Sequence, residues 1–316
     1  MLINIILLVV GFILLIKGAD IFVDGASNVA SNFKVSKMLI GLTIVAFGTS
    51  APEFAVSVKS LLSGNGDIVL GNVIGSNILN ILLILGTSAM FHSLTVKNNT
   101  VKKELPITML ITILFATLLS DHIFDLKLTN TFTRSDGIVL LLFFLVFIYY
   151  LISMMRKKID DSDNDISMSL LKSIVFTIFG IIAIVIGSNL VVDSASLIAK
   201  SIGISERIIG LTIIALGTSL PELVTSVTAT RKGEYDIAIG NVVGSNIFNI
   251  GMVIGLPVAI FGGINHIIFN YIDLLVMIIS AILLFIFSYN DYKISKKEGI
   301  VFLLLFIVYY SYVIIG

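Results

Sequence analysis

Along this chain, apolar stretches of about 20 residues, the length an α-helix needs to cross a bilayer, alternate with short polar breaks. The alternation predicts ten spans, at 2–23, 37–62, 67–91, 105–120, 137–155, 169–193, 206–230, 236–261, 267–288 and 298–315. A polar linker at 156–168 separates a first five-helix unit, 1–155, from a second, 169–316. The expected fold is an all-α polytopic membrane protein with ten transmembrane helices.

Composition agrees with the pattern. Hydrophobic residues make up 57% of the 316 positions and charged residues 13%, against about 25% charged in soluble domains. Mean hydropathy is +1.08. The formal net charge is zero, so nothing points to a nucleic-acid partner. Cysteine is absent, which excludes disulfide, zinc–thiolate and thiol chemistry. The run from Leu2 to Ile16 has no basic residue before it and no small-residue cleavage pattern after it, so it reads as a retained first helix.

Basic residues are divided unevenly between alternate loops. Lys34, Lys37, Lys97, Lys102, Lys103, Arg156, Lys157, Lys158, Arg231, Lys232, Lys293, Lys296 and Lys297 fall in one set; Lys127, Arg134, Lys200 and Arg207 fall in the other. The positive-inside rule places the first set in the cytoplasm, with both termini outside and the central linker inside. The expected location is the cell membrane.

The two units are one motif written twice. Adding 169 to a residue number in the first half finds its counterpart, without a gap, from Gly18 to Ile81. Thr49, Ser50, Pro52 and Glu53 map to Thr218, Ser219, Pro221 and Glu222. Gly71-Asn72-Val73-Ile74-Gly75-Ser76-Asn77-Ile78-Leu79-Asn80 maps to Gly240-Asn241-Val242-Val243-Gly244-Ser245-Asn246-Ile247-Phe248-Asn249. Half of the aligned positions are identical, and they include Gly, Thr, Ser, Pro, Glu and Asn, which chance matching of apolar helices would not supply. Five spans is an odd number, so the second unit enters from the opposite side. The result is two inverted five-helix repeats (5+5), an arrangement that puts transporter sites near the midplane at discontinuous helices.

Pro52 and Pro221 each remove a backbone N–H and free carbonyls one turn earlier, near Gly48-Thr49 and Gly217-Thr218. At membrane depth such carbonyls need protein, water or an ion. The hydroxyls of Thr49, Ser50, Thr218 and Ser219 are close by in sequence, and every donor is oxygen, which suits Na⁺ or Ca²⁺ rather than zinc or copper. Glu53 and Glu222 bring the charge. A carboxylate at the bilayer centre costs roughly 2.5–3.5 kcal/mol on insertion scales, and neither span centre offers a basic partner, so a cation or a proton must neutralise them. Ser76 and Asn80 share one helix face, as do Ser245 and Asn249; these faces are expected to meet the glutamates. Gly71, Gly75, Gly240 and Gly244 suit close helix packing.

Other polar residues weigh less. Asp20 with Asp24, and Asn189 with Asp193, read as interfacial residues lining an entrance, and Lys17 as snorkelling to the surface. His92, His122 and His266 fall in loops. Asp160, Asp161, Asp163 and Asp165 lack an EF-hand pattern and read as a solvated linker.

The paired Gly-Thr-Ser-x-Pro-Glu and Gly-Asn-Val-x-Gly-Ser-Asn-Ile motifs resemble the two α-repeats of the Ca²⁺/cation antiporter superfamily, in particular the prokaryotic sodium/calcium exchangers. The resemblance covers nearly the whole chain. It implies that Glu53 and Glu222 ligate both Ca²⁺ and Na⁺, and that the carbonyls of Thr49 and Thr218 complete the Ca²⁺ site. It implies one flanking Na⁺ site from Ala46, Ser50 and Ser76 with Glu53, and another from Ala215, Ser219 and Ser245 with Glu222. Asn80 and Asn249 would lie between the glutamates. Proton/calcium exchangers of this group usually carry a glutamate within the Gly-Asn motif; 71–77 and 240–246 carry none. Potassium-dependent members tend to have Asp where Asn249 stands, so the amide argues against K⁺ transport.

The expectation is an antiporter and not an enzyme. It would exchange about three Na⁺ per Ca²⁺ by alternating access, with the two ions competing for the same carboxylates. No cofactor and no obligate protein partner are expected beyond the transported ions and the bilayer. The first and sixth spans would slide past the rest on Gly11, Gly18, Gly180 and Gly187. A proton/calcium antiporter of the same fold is the alternative. A channel would need a continuous pore, and intramembrane proteolysis would need a serine–histidine or paired-aspartate site that no span centre offers.

Overall fold

A computed structural model of the chain describes residues 2–124, 129–156, 167–204, 213, 215–267 and 270–315. Thirteen helices occur among them. The first half holds α1 (Leu2–Phe33), α2 (Lys37–Thr49), α3 (Ala51–Leu62), α4 (Gly66–Phe91), α5 (Leu105–Leu118), α6 (Asp121–Phe124) and α7 (Arg134–Met155). The second holds α8 (Leu170–Ser201), α9 (Ala215–Thr218), α10 (Leu220–Arg231), α11 (Tyr235–Phe261), α12 (Tyr271–Asp291) and α13 (Lys296–Ile315). Seven of these (α1, α4, α7, α8, α11, α12 and α13) are long and apolar enough to cross a membrane, and the bent pair α2–α3 makes an eighth. Of the other two expected spans, α5 has only 14 residues after a π-helical turn at Thr100–Glu104, and the seventh is described chiefly from Ala215 onward. The aspartates of the 156–168 linker, with Lys127, Lys157, Lys158 and Arg207, lie outside the described residues.

Burial sorts the helices into a core and a shell. In α4 and α11 the apolar windows are 72% and 78% buried, whereas in α13 the figure is 11%. The exposed side chains of the outer helices are large and apolar, such as Leu142, Leu145 and Val146 on α7 and Leu304 and Val308 on α13. That is the surface expected of helices whose outer faces are solvated by lipid.

The helices α1 and α8 form a pair of their own. Each has 32 residues, about 48 Å at 1.5 Å per residue, against a hydrocarbon core of about 30 Å. Both outrun the predicted spans of 2–23 and 169–193. The extra turns of α1 are polar, and they stay helical because they are buried against protein: Ser27, Asn28 and Ser31 are all buried. Lys17 sits near the middle of this long helix. Glycine lets the two backbones touch. A Cβ at Gly180 would lie 2.6 Å from Phe22 Cα, and one at Gly11 would lie 3.0 Å from Gly187 O.

Not everything is helical. Two antiparallel ribbons form, β1 (Leu94–Thr95) with β4 (Lys293–Ile294), and β2 (Asn130–Phe132) with β3 (Ile264–Ile267). Each ribbon joins one strand from each half of the chain. These loop strands carry no hydropathy signal and were not expected from the sequence.

Candidate ion-binding site

The site is built where helices break. Between α2 and α3 the axis bends by 46° at Ser50, and Pro52 sits at the start of α3. Ser219 and Pro221 hold the same places between α9 and α10. Proline fits a first helical turn, where its missing N–H has no partner to lose. Glu53 and Glu222 therefore fall in the first turns of α3 and α10, where a helix N-terminus favours negative charge. The facing helices α4 and α11 each switch to a π-helical turn at Asn80 and Asn249. Such turns are frequent at functional positions, and hydropathy does not announce them.

Both carboxylates are 1% exposed. Ser50 Oγ donates to Glu222 Oε1 at 2.9 Å and lies 3.0 Å from Ser245 Oγ. Ser219 Oγ lies 3.4 Å from Glu53 Oε1 and 3.4 Å from Ser76 Oγ. The serines thus cross between the repeats: Ser50 meets Glu222 and Ser219 meets Glu53. The implied grouping placed Ser50 with Glu53 and Ser219 with Glu222; the hydrogen bonds pair them the other way. The two breaks face each other, so each hydroxyl reaches the carboxylate of the other break. Ser76 and Ser245 enter the cluster through these serine contacts.

The remaining expected residues are accounted for as follows. Ala46 is buried on α2, Thr49 ends that helix, and Ala215 and Thr218 begin and end α9. Asn80 and Asn249 are buried on the α4 and α11 faces. Asp20 and Asp24 are ion-paired to Lys232, whose Nζ lies 3.7 Å and 2.7 Å from their carboxylates.

Sequence reading missed a supporting layer. Asn72 Nδ2 donates to Glu53 O at 3.1 Å and to Ser57 Oγ at 3.0 Å. Asn241 Nδ2 does the same to Glu222 O at 3.4 Å and Ser226 Oγ at 2.9 Å. Thr49 Oγ1 also lies 3.0 Å from Asn241 Oδ1, which ties the first break to the second repeat. The duplication of Asn72 and Asn241 was the available signal. Glu104 is a third buried glutamate, but its carboxylate accepts a hydrogen bond from Tyr150 on α7 and belongs to no contact of this cluster.

The arrangement leaves work for a cation. Glu53 Oε2 and Glu222 Oε2 are buried with no hydrogen-bond partner, as are Asn80 Oδ1 and both polar atoms of Asn249. Buried polar groups are normally satisfied, and a buried carboxylate oxygen without a donor is the costliest exception. Among the described residues no cluster of three or more His, Cys, Asp or Glu occurs. Charge thus comes from two carboxylates, and the other available ligands are neutral oxygens, the donor set of a hard cation.

The family model described as sodium/calcium exchanger protein matches residues 3–153 and 172–315. A putative antiporter, CaxA, of Alkalimonas amylolytica is 38% identical over 98% of each chain. The sodium/calcium exchanger MaX1 of Methanosarcina acetivorans is 32% identical over 97% of each. A solved structure of the sodium-calcium exchanger NCX_Mj, soaked with Na⁺ and Sr²⁺, superposes with a TM-score of 0.85 and 34% identity, covering 98% of this chain and 97% of that one.

Proposed function

The chain belongs to the sodium/calcium exchanger protein family, and on that premise we propose that it exchanges Na⁺ for Ca²⁺ across the cell membrane by alternating access. One observation carries the reading. Two buried carboxylates, each with an unpartnered oxygen, sit at crossed helix breaks among neutral oxygens. An empty site of this kind resists closing over, because closure would seal uncompensated charge in a dry cavity. Either Ca²⁺ or Na⁺ relieves that penalty, so exchange is favoured over leak.

In this proposal Glu53 and Glu222 ligate both ions, with the Thr49 and Thr218 carbonyls completing the Ca²⁺ position. The crossed contacts suggest how the Na⁺ positions divide: Ser50 and Ser245 with Glu222 and the Ala46 carbonyl, and Ser219 and Ser76 with Glu53 and the Ala215 carbonyl. Asn80 and Asn249 lie between. Ten spans in two inverted repeats are supported by the two ribbons, since each pairs two loops that this reading puts on the same side of the membrane. The close backbone contact of α1 and α8 fits their moving together past the core. The lysine-rich loops are placed in the cytoplasm and both termini outside. At that lysine-rich end the loop between α10 and α11 is pinned by Lys37–Glu234 at 2.7 Å and Lys232–Asp24 at 2.7 Å, and the first turn of α11 by Lys97–Asp236 at 2.6 Å.

Three Na⁺ per Ca²⁺ is the proposed ratio. A tenfold Na⁺ gradient with 100 mV then supplies about 6.5 kcal/mol per cycle, which sustains a Ca²⁺ gradient of between about four and five decades. The test is uptake of radioactive Ca²⁺ by liposomes loaded with Na⁺, with Na⁺-free or Na⁺-matched medium outside at fixed pH. Uptake that requires the outward Na⁺ gradient is expected. Uptake that ignores Na⁺ and follows a pH gradient would move the protein to the proton-coupled class.

A further inference from the structure

An inverted repeat supplies its own control: every contact between the halves has a mirror 169 positions away. Asn80 Nδ2 donates to Asn246 Oδ1 at 2.9 Å, and Asn246 Nδ2 lies 3.5 Å from Asn77 O. The mirror contacts would run from Asn249 Nδ2 to Asn77 Oδ1, and from Asn77 Nδ2 to Asn246 O. Neither is made. Both polar atoms of Asn77 and both of Asn249 lack a partner, although each residue is only 1% exposed.

The neighbouring serines lean the same way. Ser245, next to Asn246 on α11, lies 3.0 Å from Ser50, while Ser76, next to Asn77 on α4, lies 3.4 Å from Ser219. Asn246 on α11 is thus engaged by the opposite repeat through its side chain while Asn77 on α4 is not, and the serine contact is the shorter on the α11 side. The same side chains are present in both halves, so chemistry does not account for the difference. Conformation does. In a carrier built from inverted repeats, the two halves exchange conformations as access passes from one side to the other.

We propose that Asn246 and Asn77 are a pair of positioning residues that act in turn. In the state described here Asn246 holds the Asn80 carboxamide, leaving Asn80 Oδ1 available to a cation, and Asn249 is not held. In the state open to the opposite side, Asn77 holds Asn249 and Asn80 is released. The inference rests on the exchange reading above. It adds that one amide of the Asn80/Asn249 pair is locked in each state, so each state presents its own ligand set to the ions.

The experiment compares Asn246→Leu with Asn77→Leu in vesicles sorted by orientation, with the Ca²⁺ half-saturation of Na⁺-driven uptake measured at each face. Loss of one side-chain hydrogen bond should raise that half-saturation about tenfold at one face, with little change at the other face or in maximal rate. The two substitutions should act on opposite faces, and the double variant should affect both. Equal effects of both variants on both faces, or a fall in maximal rate alone, would mark a packing role and overturn the proposal. If leucine prevents monodisperse folding, Asn246→Ala and Asn77→Ala carry the same comparison. Wild-type protein without Na⁺-driven uptake would strike the exchange reading itself, and the proposal with it.

Discussion

Ser50 offers the sharpest test of how the site is assembled. Its hydroxyl donates to the buried Glu222 carboxylate at 2.9 Å and touches Ser245 at 3.0 Å, and the residue itself is fully buried. Ser50→Ala removes one hydroxyl and almost no volume. A hydrogen bond to a charged group is worth about 1.5–3 kcal/mol, and about 1.4 kcal/mol corresponds to a tenfold change in affinity. The Na⁺ half-saturation should therefore rise by roughly 10- to 100-fold. Ca²⁺ should be much less affected, because its proposed ligands are the carboxylates and the Thr49 and Thr218 carbonyls. Ser219→Ala should shift Na⁺ in the same direction by less than about tenfold, since its 3.4 Å contact to Glu53 is at the edge of hydrogen bonding. The assay is inhibition of Ca²⁺ uptake by external Na⁺ in liposomes, with each ion titrated separately. Unchanged Na⁺ inhibition in Ser50→Ala, or equal losses for Na⁺ and Ca²⁺, would refute the placing of Ser50 at a Na⁺ position.

Three further outcomes follow from the same geometry. Glu53→Gln and Glu222→Gln should each abolish Ca²⁺ flux while leaving a monodisperse, thermally stable protein, because the amide removes charge but not volume; retained flux in both would sink the shared-carboxylate reading. Gly180→Ala should push α1 from α8, since its Cβ would meet Phe22 Cα at 2.6 Å. Overpacking of this kind costs about 1–3 kcal/mol, so a lowered unfolding temperature and slowed transport are expected, and a wild-type melting curve would count against rigid contact of the pair. Lys232→Gln should loosen the lysine-rich end, where Lys232 holds Asp24 at 2.7 Å; partly exposed pairs contribute about 0–1 kcal/mol, so Ca²⁺ half-saturation from that face should change severalfold at most, and a larger change would show that the pair does more than hold the loop.

Much of this protein is legible from residue order alone. The helix breaks at Ser50 and Ser219 follow from proline, whose missing N–H is a local covalent fact. The burial of Glu53 and Glu222 follows from their place inside apolar runs, and their importance from duplication. The predicted spans stop short of the ends of α1 and α8 because Asp20 with Asp24, and Asn189 with Asp193, look like a lipid boundary. Hydropathy registers polarity but does not say whether protein or water will satisfy it. The ribbons and the π-helical turns were missed for a similar reason: they depend on what packs beside them, and no local pattern marks either.

What the amino-acid order determined by itself was the inventory: apolar helices, two copies of one motif, two carboxylates and a set of neutral oxygens. What only the tertiary structure decided was which member of each copy meets which. Ser50 serves Glu222 and not Glu53, Asn246 is bonded while Asn77 is not, and Asn72 and Asn241 brace the glutamate backbones. A repeat specifies two equal sets of partners. Their assignment, and the imbalance between them, come from how the two halves pack against each other, which no single stretch of either half contains.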